Sequence, residues 1–205
     1  MKIEHFNCRY GKKIIFDNVD FYFEDGQLNF ILGANQTGKT TLLNYIADVD
    51  HLRTSDFVGF PQKKSIAYLG QNNHFKVDLL VGEILDFVRQ LEGVSIFAVP
   101  EAIEKLQLLK YSDLNYGQRK LVLIYLNTMV DKELYLFDEP ENGVELSYSQ
   151  EIFDWMRKLI NLGKTLIVTT NKLDNIYDVD NVNYIKNSRE ILVDNYLKIK
   201  TRMAF

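Results

Sequence analysis

Residues 33–40, with the sequence GANQTGKT, have a spacing that is suited to binding phosphate groups. The segment fits the pattern G-x-x-x-x-G-K-[ST] and lies between an apolar run, residues 28–32, and a helical pattern, residues 41–47. Glycines lack a Cβ, so successive backbone N–H groups can point into a nest at a helix N-terminus, where anions are favoured. The segment therefore predicts a loop that binds the phosphates of a nucleotide.

Within this phosphate loop, two side chains have defined roles toward a nucleotide. Lys39 is long enough to reach the β- and γ-phosphates, and the hydroxyl of Thr40 can bind the Mg²⁺ that bridges them. The residues expected to contact the nucleotide are Gly33, Ala34, Asn35, Gln36, Thr37, Gly38, Lys39, Thr40 and Thr41. The structural alternative is a glycine-rich turn between a strand and a helix, with an exposed lysine.

A second group of candidate residues ends an apolar run in the sequence LYLFDEP, residues 134–140. The run predicts a buried strand, and ligands of α/β folds bind at the carboxyl ends of such strands. Asp138 would hold Mg²⁺ through water, and Glu139 would orient or deprotonate the attacking water. The structural alternative is a turn with two solvated acids.

The composition is that of an ordinary globular chain, with 205 residues of which 46% are apolar and 25% charged. This length supports one substantial core, so we expect one domain. No run of about 20 apolar residues predicts a membrane span, and the first residues lack the apolar core of a secretion signal. The net charge of −4 argues against a nucleic-acid partner.

Cysteine and histidine are scarce, which limits the available chemistry. Cys8 is the only cysteine, so an internal disulfide is excluded, and we expect a buried strand residue in a reducing cytosol. The three histidines, His5, His51 and His74, lack metal-ligand spacing. We therefore expect no transition-metal site.

The hydrophobic pattern of the first third predicts short strands followed by a helix. Predicted strands cover residues 3–8, 19–23, 28–32 and 65–69, and the helix covers residues 41–47. The Asp25-Gly26 pair is a hairpin turn signal between the second and third of these strands.

The rest of the chain alternates between helical and strand patterns. Residues 72–115 are expected to be mostly helical, with a new helix starting around residues 99–101. Apolar residues at helical spacing in this region are Leu80, Ile84, Phe87, Val88 and Leu91. Further predicted helices cover residues 118–130 and 147–161, and predicted strands cover residues 134–137, 166–169, 182–185 and 190–193. The last two strands are expected to form a hairpin, and the alternation predicts a parallel sheet covered on both faces.

The order of these motifs resembles that of the ATP-binding cassette (ABC) ATPases over nearly the whole chain. Tyr10 lies where this family has an aromatic residue that stacks on adenine, and Gln71 lies where it has a glutamine that contacts metal and water. The sequence LNYGQ, residues 114–118, matches the position of the family signature LSGGQ before a helix. Residues 141–145, ENGVE, match the family's dimer-contact loop, and residues 165–171 match its switch-loop strand.

The resemblance implies a fold and a set of ligands. The expected fold class is α/β: a P-loop NTPase core with a mostly parallel sheet, an N-terminal antiparallel β subdomain, and a small helical subdomain at about residues 72–115, within one domain of residues 1–205. The expected ligands are ATP and Mg²⁺. The resemblance makes Glu139 and Lys39 catalytic, and it makes Thr40, Gln71 and Asp138 the residues that contact the metal.

The resemblance also implies partners. In this family ATP is enclosed between two ATPase chains, so we expect a homodimer, or a heterodimer with another ABC ATPase chain. The signature residues that would face the partner's ATP are Asn115, Tyr116, Gly117 and Gln118. Closure of this dimer around ATP would drive movement of a separate membrane permease subunit. The chain itself would not insert into the membrane, and it would lie in the cytoplasm, peripheral on the cytoplasmic face.

The signature and its neighbouring loop depart from the family pattern. Asn115 replaces serine, and Tyr116 replaces the first glycine, where a bulky ring could obstruct the approach to the partner's γ-phosphate. Glu145 ends the dimer-contact loop where aspartate is expected.

The phosphate loop and the switch depart as well. Gln36 replaces a glycine, which is tolerable if its φ is negative. The switch histidine is absent, and Thr170 and Asn171 stand at its place. Both can hydrogen-bond to a phosphate or to water, but neither can be positively charged. These losses suggest slow turnover or the need for a partner.

The leading interpretation is the ATPase subunit of an ABC transporter, and association alone suggests an exporter. The segment around residues 72–91 would form the groove for a cytoplasmic helix of the permease, with Phe75, Val77 and Leu79 as candidate contacts. The alternatives are a soluble ABC ATPase that does not act in transport and a nucleotide-gated regulatory module.

Overall fold

The computed structural model of the protein describes residues 1–49, 52–71, 77–93 and 99–203. The strands in these residues are β1 (Lys2–Tyr10), β2 (Lys13–Tyr22), β3 (Leu28–Gly33), β4 (Phe57–Val58), β5 (Ile66–Leu69), β6 (Leu134–Asp138), β7 (Thr165–Thr170), β8 (Asn181–Asn187) and β9 (Glu190–Asn195). The helices are α1 (Lys39–Ile46), α2 (Val81–Glu92), α3 (Glu101–Glu104), α4 (Tyr116–Met129), α5 (Leu146–Asn161) and α6 (Tyr196–Met203).

The centre of the fold is a sheet of six strands in the order β5-β6-β7-β3-β8-β9. All neighbouring pairs are parallel except β8 and β9, which form the predicted C-terminal hairpin. Every residue of β3, β6 and β7 is buried, because helices cover both faces of the sheet. The carboxyl ends of β5, β6, β7 and β3 therefore meet at one edge, where a ligand site is expected.

Side chains alternate between the two faces of this sheet. In β6, Leu134 and Leu136 pack toward the face that holds α1, whereas Tyr135 and Phe137 pack toward the face that holds α4 and α5. Each fully buried aliphatic or aromatic side chain contributes about 1.5–3 kcal/mol relative to an exposed one. The two faces thus hold separate apolar clusters that fix the sheet between them.

A second, antiparallel sheet has the order β2-β1-β4 and packs on α1. Aromatic rings cluster on the buried face of this sheet: Phe6 lies 5.5 Å from Phe16 and 5.5 Å from Phe57 between ring centroids, and 5.0 Å from Tyr45 of α1. Cys8 lies in this sheet and is buried, as predicted. This sheet is the N-terminal antiparallel subdomain that the sequence predicted.

The predicted hairpin at Asp25-Gly26 is wrong. These two residues do form a turn, but β2 pairs with β1 in the antiparallel sheet, whereas β3 pairs with β7 and β8 in the parallel sheet. The actual hairpin joins β1 to β2 next to Gly11, whose φ is 58°. Because β3 is buried on both faces, it belongs in the parallel sheet and cannot serve as a half-exposed hairpin strand.

The helical region is formed by α2 and α3, and its residues 72–76 and 94–98 lie outside the described residues. Pro100 precedes α3, which confirms a helix start at this point. In α2, Val81, Ile84 and Leu85 are buried, but Phe87 and Leu91 are 63% and 69% exposed. The apolar residues of α2 therefore lie on two faces of the helix, one packed in the core and one exposed to solvent.

The C-terminal helix α6 is an element that the sequence analysis did not predict. Its Tyr196 and Ile199 are buried against the core and attach it beside β9. Across the described ranges, no helix is both long enough and apolar enough to span a membrane.

Candidate functional site

The phosphate loop connects β3 to α1, as the sequence predicted. Gly38 has a φ of 101°, which a side chain would strain, and it directly precedes α1. A Cβ at Gly38 would come within 2.5 Å of Ile15, and a Cβ at Gly33 would come within 2.8 Å of the Thr37 hydroxyl. Both glycines are thus required by the close packing of the loop.

Gln36 does not have the negative φ under which the sequence analysis considered it tolerable. Its φ is 66°, in the left-handed region. A non-glycine residue in this region costs about 1–2 kcal/mol, because its Cβ crowds the following carbonyl oxygen. The loop holds this conformation although glycine is absent, so Gln36 stores strain at the rim of the site.

Lys39 is the first residue of α1, and its side chain is 4% exposed. Its Nζ donates to the carbonyl oxygens of Gly33 and Ala34, at 3.0 and 3.1 Å, and pairs with Oε1 of Glu139 at 3.1 Å. A lysine ammonium has three hydrogens, so all its donors are used. A phosphate that binds Lys39 must replace one of these partners.

Asp138 ends β6 and is buried. One carboxylate oxygen accepts a hydrogen bond from Oγ1 of Thr40 at 2.7 Å, and the other accepts one from Oγ1 of Thr169 at 2.6 Å. The structure therefore brings two predicted metal contacts, Thr40 and Asp138, into direct contact. Thr169 is a supporting residue that the sequence analysis missed, although it lies on the neighbouring strand.

Glu139 has an unusual backbone for a residue that precedes a proline. Its φ is 45°, and its backbone N–H donates to Oγ1 of Thr169 at 3.0 Å. This conformation turns the carboxylate toward Lys39 and toward Gln71, whose Nε2 donates to Oε2 of Glu139 at 3.1 Å. Asn142 also donates to Oε2, at 3.5 Å. Strained backbone of this kind is found at functional sites, where the surrounding structure maintains it.

These residues surround a cavity of about 390 Å³ at the carboxyl edge of the sheet. This volume lies in the range of ligand pockets, which is about 300–1,000 Å³. Its lining includes Asn35, Gln36, Lys39, Thr40, Thr41, Gln71 and Glu139. Most of the residues predicted from the phosphate loop therefore line one cavity together with Gln71 and Glu139, whereas the described lining leaves out Gly33, Ala34, Thr37 and Asp138.

The structure separates the two predicted switch residues. Thr170 is 2% exposed, and its hydroxyl donates to Oε1 of Glu141 and accepts from the backbone N–H of Lys172 at 2.9 Å. Asn171 is exposed, lines the cavity and donates to Oδ1 of Asn35 at 2.8 Å. Asn171 is thus the side chain that faces the site.

Glu141 is a buried acid that the sequence analysis had only placed in the dimer-contact loop. It is 1% exposed, and burial raises the pKa of its carboxyl, which the hydrogen bond from Thr170 opposes. Its Oε2 has no hydrogen-bond partner among the described residues. A third carboxylate therefore lies near Glu139.

The signature residues form the start of α4 and lie apart from the cavity. Asn115 caps the helix, because its Oδ1 accepts a hydrogen bond from the Gln118 backbone N–H at 2.9 Å. In turn, Oε1 of Gln118 accepts one from the Asn115 backbone N–H at 3.0 Å. Asn115 therefore keeps the capping role of serine. The described lining of the cavity includes none of residues 115–118. It also leaves out Tyr10, which is 84% exposed at the end of β1.

Both glycines near the signature are packed by tyrosines of this chain. A Cβ at Gly117 would come within 2.4 Å of the Tyr148 ring, and a Cβ at Gly143 within 3.2 Å of the Tyr116 ring. Tyr116 is 55% exposed and leans toward the loop of residues 141–145. No motif in the sequence points to Tyr148.

Comparison with known protein families identifies the family of this chain. The family described as ABC transporter matches residues 16–142, from the middle of β2 past Glu139. The chain belongs to the ABC transporter family. Within this family it is an ATPase, a subunit that binds and hydrolyses ATP, and the P-loop and the acidic strand end described above are the corresponding motifs.

Individual relatives of the cassette are ATP-binding subunits of transporters. An uncharacterized ABC transporter ATP-binding protein of Methanocaldococcus jannaschii is 24% identical over 216 residues, which cover 100% of this chain and 81% of the relative. The zinc import ATP-binding protein ZnuC of Ehrlichia canis is 25% identical over 179 residues, which cover 83% of this chain and 73% of the relative. They support the transporter interpretation over the soluble alternatives.

Solved structures support the fold. An ATP-binding cassette of an ABC transporter in its ADP conformation superposes with a TM-score of 0.75 at 21% identity, covering 100% of this chain and 95% of that structure. A putative metal-chelate type ABC transporter in an inward-facing conformation gives a TM-score of 0.77 at 20% identity, covering 97% of this chain and 84% of that chain. The expected α/β fold class is thereby confirmed.

The left-handed backbone at Gln36 leads to a prediction on stability. Gln36→Gly removes the strain, whereas Gln36→Ala keeps it. We expect the glycine variant to have the higher free energy of unfolding, by roughly 0.5–1 kcal/mol, because relief of about 1–2 kcal/mol exceeds the entropic cost of glycine, about 0.5–1 kcal/mol. Urea denaturation of the two variants measures the difference. A more stable alanine variant would contradict the strained loop.

Proposed function

We propose that this cassette drives a separate membrane permease by binding and hydrolysing Mg-ATP between two ATPase chains on the cytoplasmic face of a membrane. The observation that supports this most directly is the pairing of Lys39 with Glu139 and of Thr40 with Asp138 beside the cavity that Lys39, Thr40 and Glu139 line. These residues supply a phosphate-binding cation, a metal-binding hydroxyl, a metal-binding carboxylate and a base for water.

The donor atoms at the cavity fit Mg²⁺. The Thr40 hydroxyl and the Asp138 carboxylate lie 2.7 Å apart, and the side-chain amide of Gln71 lines the same cavity. All three offer oxygen, which Mg²⁺ prefers, and it completes its shell with water and substrate phosphates. Among the described residues no cluster of three or more acids, histidines or cysteines could cage a metal without substrate. Bound Mg²⁺ would neutralise charge on the phosphates.

The proposed catalytic step begins with an exchange of partners at Lys39. A phosphate that binds the Lys39 ammonium displaces Oε1 of Glu139, which is now 3.1 Å away. The freed carboxylate can accept a proton from water, while Gln71 and Asn142 hold its other oxygen. Asn171, which lies on Asn35 at the rim, can donate to a terminal phosphate as a neutral group.

The separation of the signature from the cavity supports a dimer. Residues 115–118 do not line the cavity of their own chain, yet α4 begins there with Tyr116 more than half exposed. A second ATPase chain, identical or different, would bring its own α4 N-terminus toward the phosphates, where the helix dipole favours anions. Tyr10 also lies outside the described lining of the cavity, so its contact with adenine stays a prediction.

An apolar groove offers a place for the permease. It has a volume of about 710 Å³ and lies between β5, α2 and α4, with Leu69, Val77, Leu79, Phe87 and Val88 in its lining. Val77 and Leu79 were predicted as contacts, whereas Phe75 lies outside the described residues. An exposed apolar groove of this kind fits one face of an amphipathic helix. We propose a cytoplasmic helix of the permease as its occupant; the direction of transport stays a prediction.

Nucleotide binding tests the phosphate loop. Lys39→Ala should weaken Mg-ATP binding by about tenfold or more, because a hydrogen bond to a charged group contributes about 1.5–3 kcal/mol. Lys158→Ala, on the exposed face of α5, is the control and should bind as the wild type does. Titration calorimetry measures both. Equal affinity of wild type and Lys39→Ala defeats the proposal.

Purification in mild detergent tests the permease groove. The tagged wild-type chain, taken from its native cells, should recover a multi-spanning membrane protein in a stoichiometric ratio. Phe87→Asp should lose this protein, because a carboxylate in the groove opposes an apolar helix. Leu91→Asp changes an equally exposed residue of α2 that is not part of the groove lining, and it should retain the protein. Only soluble partners with wild type, or equal recovery with Phe87→Asp, would contradict the groove assignment.

A further inference from the structure

Lys120 is a buried cation on α4 that the proposed mechanism does not use. Its side chain is 4% exposed, and its Nζ donates to the backbone carbonyl oxygen of Gln71 at 3.0 Å. No ion pair of Lys120 within 4 Å exists among the described residues. An ammonium withdrawn from water with so few partners is costly, so its presence needs an explanation.

Three carboxylates face Lys120 from neighbouring elements. They are Asp138, at the end of β6, and Glu139 and Glu141, which follow it. Burial lowers the pKa of the Lys120 ammonium, and these carboxylates oppose the change. Glu141 contributes a buried oxygen without a partner in the described part of the chain. Lys120 is therefore a buried cation near these three carboxylates, and its direct contact is with the backbone of Gln71.

A continuous series of contacts leads from Lys120 to the phosphate loop. Lys120 holds the backbone of Gln71, the side chain of Gln71 donates to Oε2 of Glu139 at 3.1 Å, and Oε1 of Glu139 pairs with Lys39 at 3.1 Å. Each contact is a direct hydrogen bond or ion pair. Gln71 is thus fixed at both ends, by α4 at its carbonyl and by Glu139 at its amide.

We propose that Lys120 is a positioning residue, which holds Gln71 and, through it, orients Glu139 for the ATPase reaction. The inference rests on the proposed function, because it assigns the reaction roles of Glu139 and Gln71. The contact series thus joins α4, which begins at Tyr116, to Glu139 through Lys120 and Gln71.

If Lys120 served stability alone, its removal would lower the free energy of unfolding. A positioning role predicts the opposite. Replacing a whole buried ion pair by apolar side chains is often neutral or stabilising, whereas removing one partner of a pair costs stability. The hydrogen-bond partner of Lys120 is a backbone carbonyl oxygen, so Lys120→Met breaks no ion pair and removes the cost of burying an ammonium. Groups that serve activity are those whose removal raises stability while function falls. Lys120→Met should therefore leave the free energy of unfolding unchanged or raise it, and it should lower the turnover number.

The experiment measures the position of Gln71 directly in the full chain. The side-chain amide signals of Gln71 in a ¹⁵N NMR spectrum are assigned by their loss in Gln71→Met. In Lys120→Met we expect these signals to move toward the position of solvated glutamines, ADP affinity to stay within about twofold, and turnover to fall about tenfold. Lys132→Met is the matched control, because Lys132 also donates to a backbone carbonyl, that of Lys64, outside the site. It should leave the Gln71 signals unchanged.

Unchanged Gln71 signals in Lys120→Met would overturn the proposal, and so would a loss of stability accompanied by lost ADP binding. If Lys120→Met does not fold, Lys120→Gln replaces it, since its shorter side chain withdraws the donor from Gln71 while keeping a polar group in place. The same movement of the Gln71 signals is expected there, and its absence would contradict the proposal. Failure of the proposed function is distinguishable, because it appears as equal ATP affinity in wild type and Lys39→Ala whatever the Gln71 signals do.

Discussion

The ammonium of Lys39 is the group on which the rest of the site depends, because its three hydrogens already have three partners. Two are carbonyl oxygens of its own loop, which fix the loop around a conformation that only glycine adopts easily at position 38. The third is the carboxylate of Glu139, which crosses from the end of β6. A phosphate and this carboxylate compete for one cation. Under the proposed function, nucleotide binding and release of the Glu139 carboxylate are therefore a single exchange.

The elements around this exchange explain why the fold has its particular order. β3 delivers the phosphate loop, β6 delivers Asp138 with Glu139 directly after it, and β7 delivers Thr169. The Thr169 hydroxyl donates to the Asp138 carboxylate and accepts from the backbone N–H of Glu139. These strands are neighbours in the parallel sheet, so their carboxyl ends meet. Helix α4 adds Lys120 and starts at the signature. The degenerate signature retains its helix cap in Asn115, and its surviving glycine is also required by the ring of Tyr148.

The sequence predicts where the loop and the strands of the candidate site lie. It does not predict the backbone angles and the long-range side-chain contacts within the site. The loop between β3 and α1 and the strand β6 lie where the sequence predicted them, because both depend on local spacing and on a continuous apolar run. The hairpin at Asp25-Gly26 was wrong because turn chemistry is local, whereas the choice between two sheets depends on burial of β3 on both faces. The φ of Gln36, the inward turn of Thr170 and the burial of Lys120 depend on packing between distant segments. No pattern along the chain reports such contacts.

Titration calorimetry of ADP against the wild type and Glu139→Gln tests the competition at Lys39 most directly, because ADP is not hydrolysed. If Glu139 occupies Lys39 in the free protein, the neutral side chain competes less strongly, since a charged partner strengthens a hydrogen bond by about 1 kcal/mol. We expect Glu139→Gln to bind ADP about fivefold more tightly than the wild type. Equal or weaker binding by Glu139→Gln would contradict the account, because the carboxylate would then not be a competitor of the phosphate.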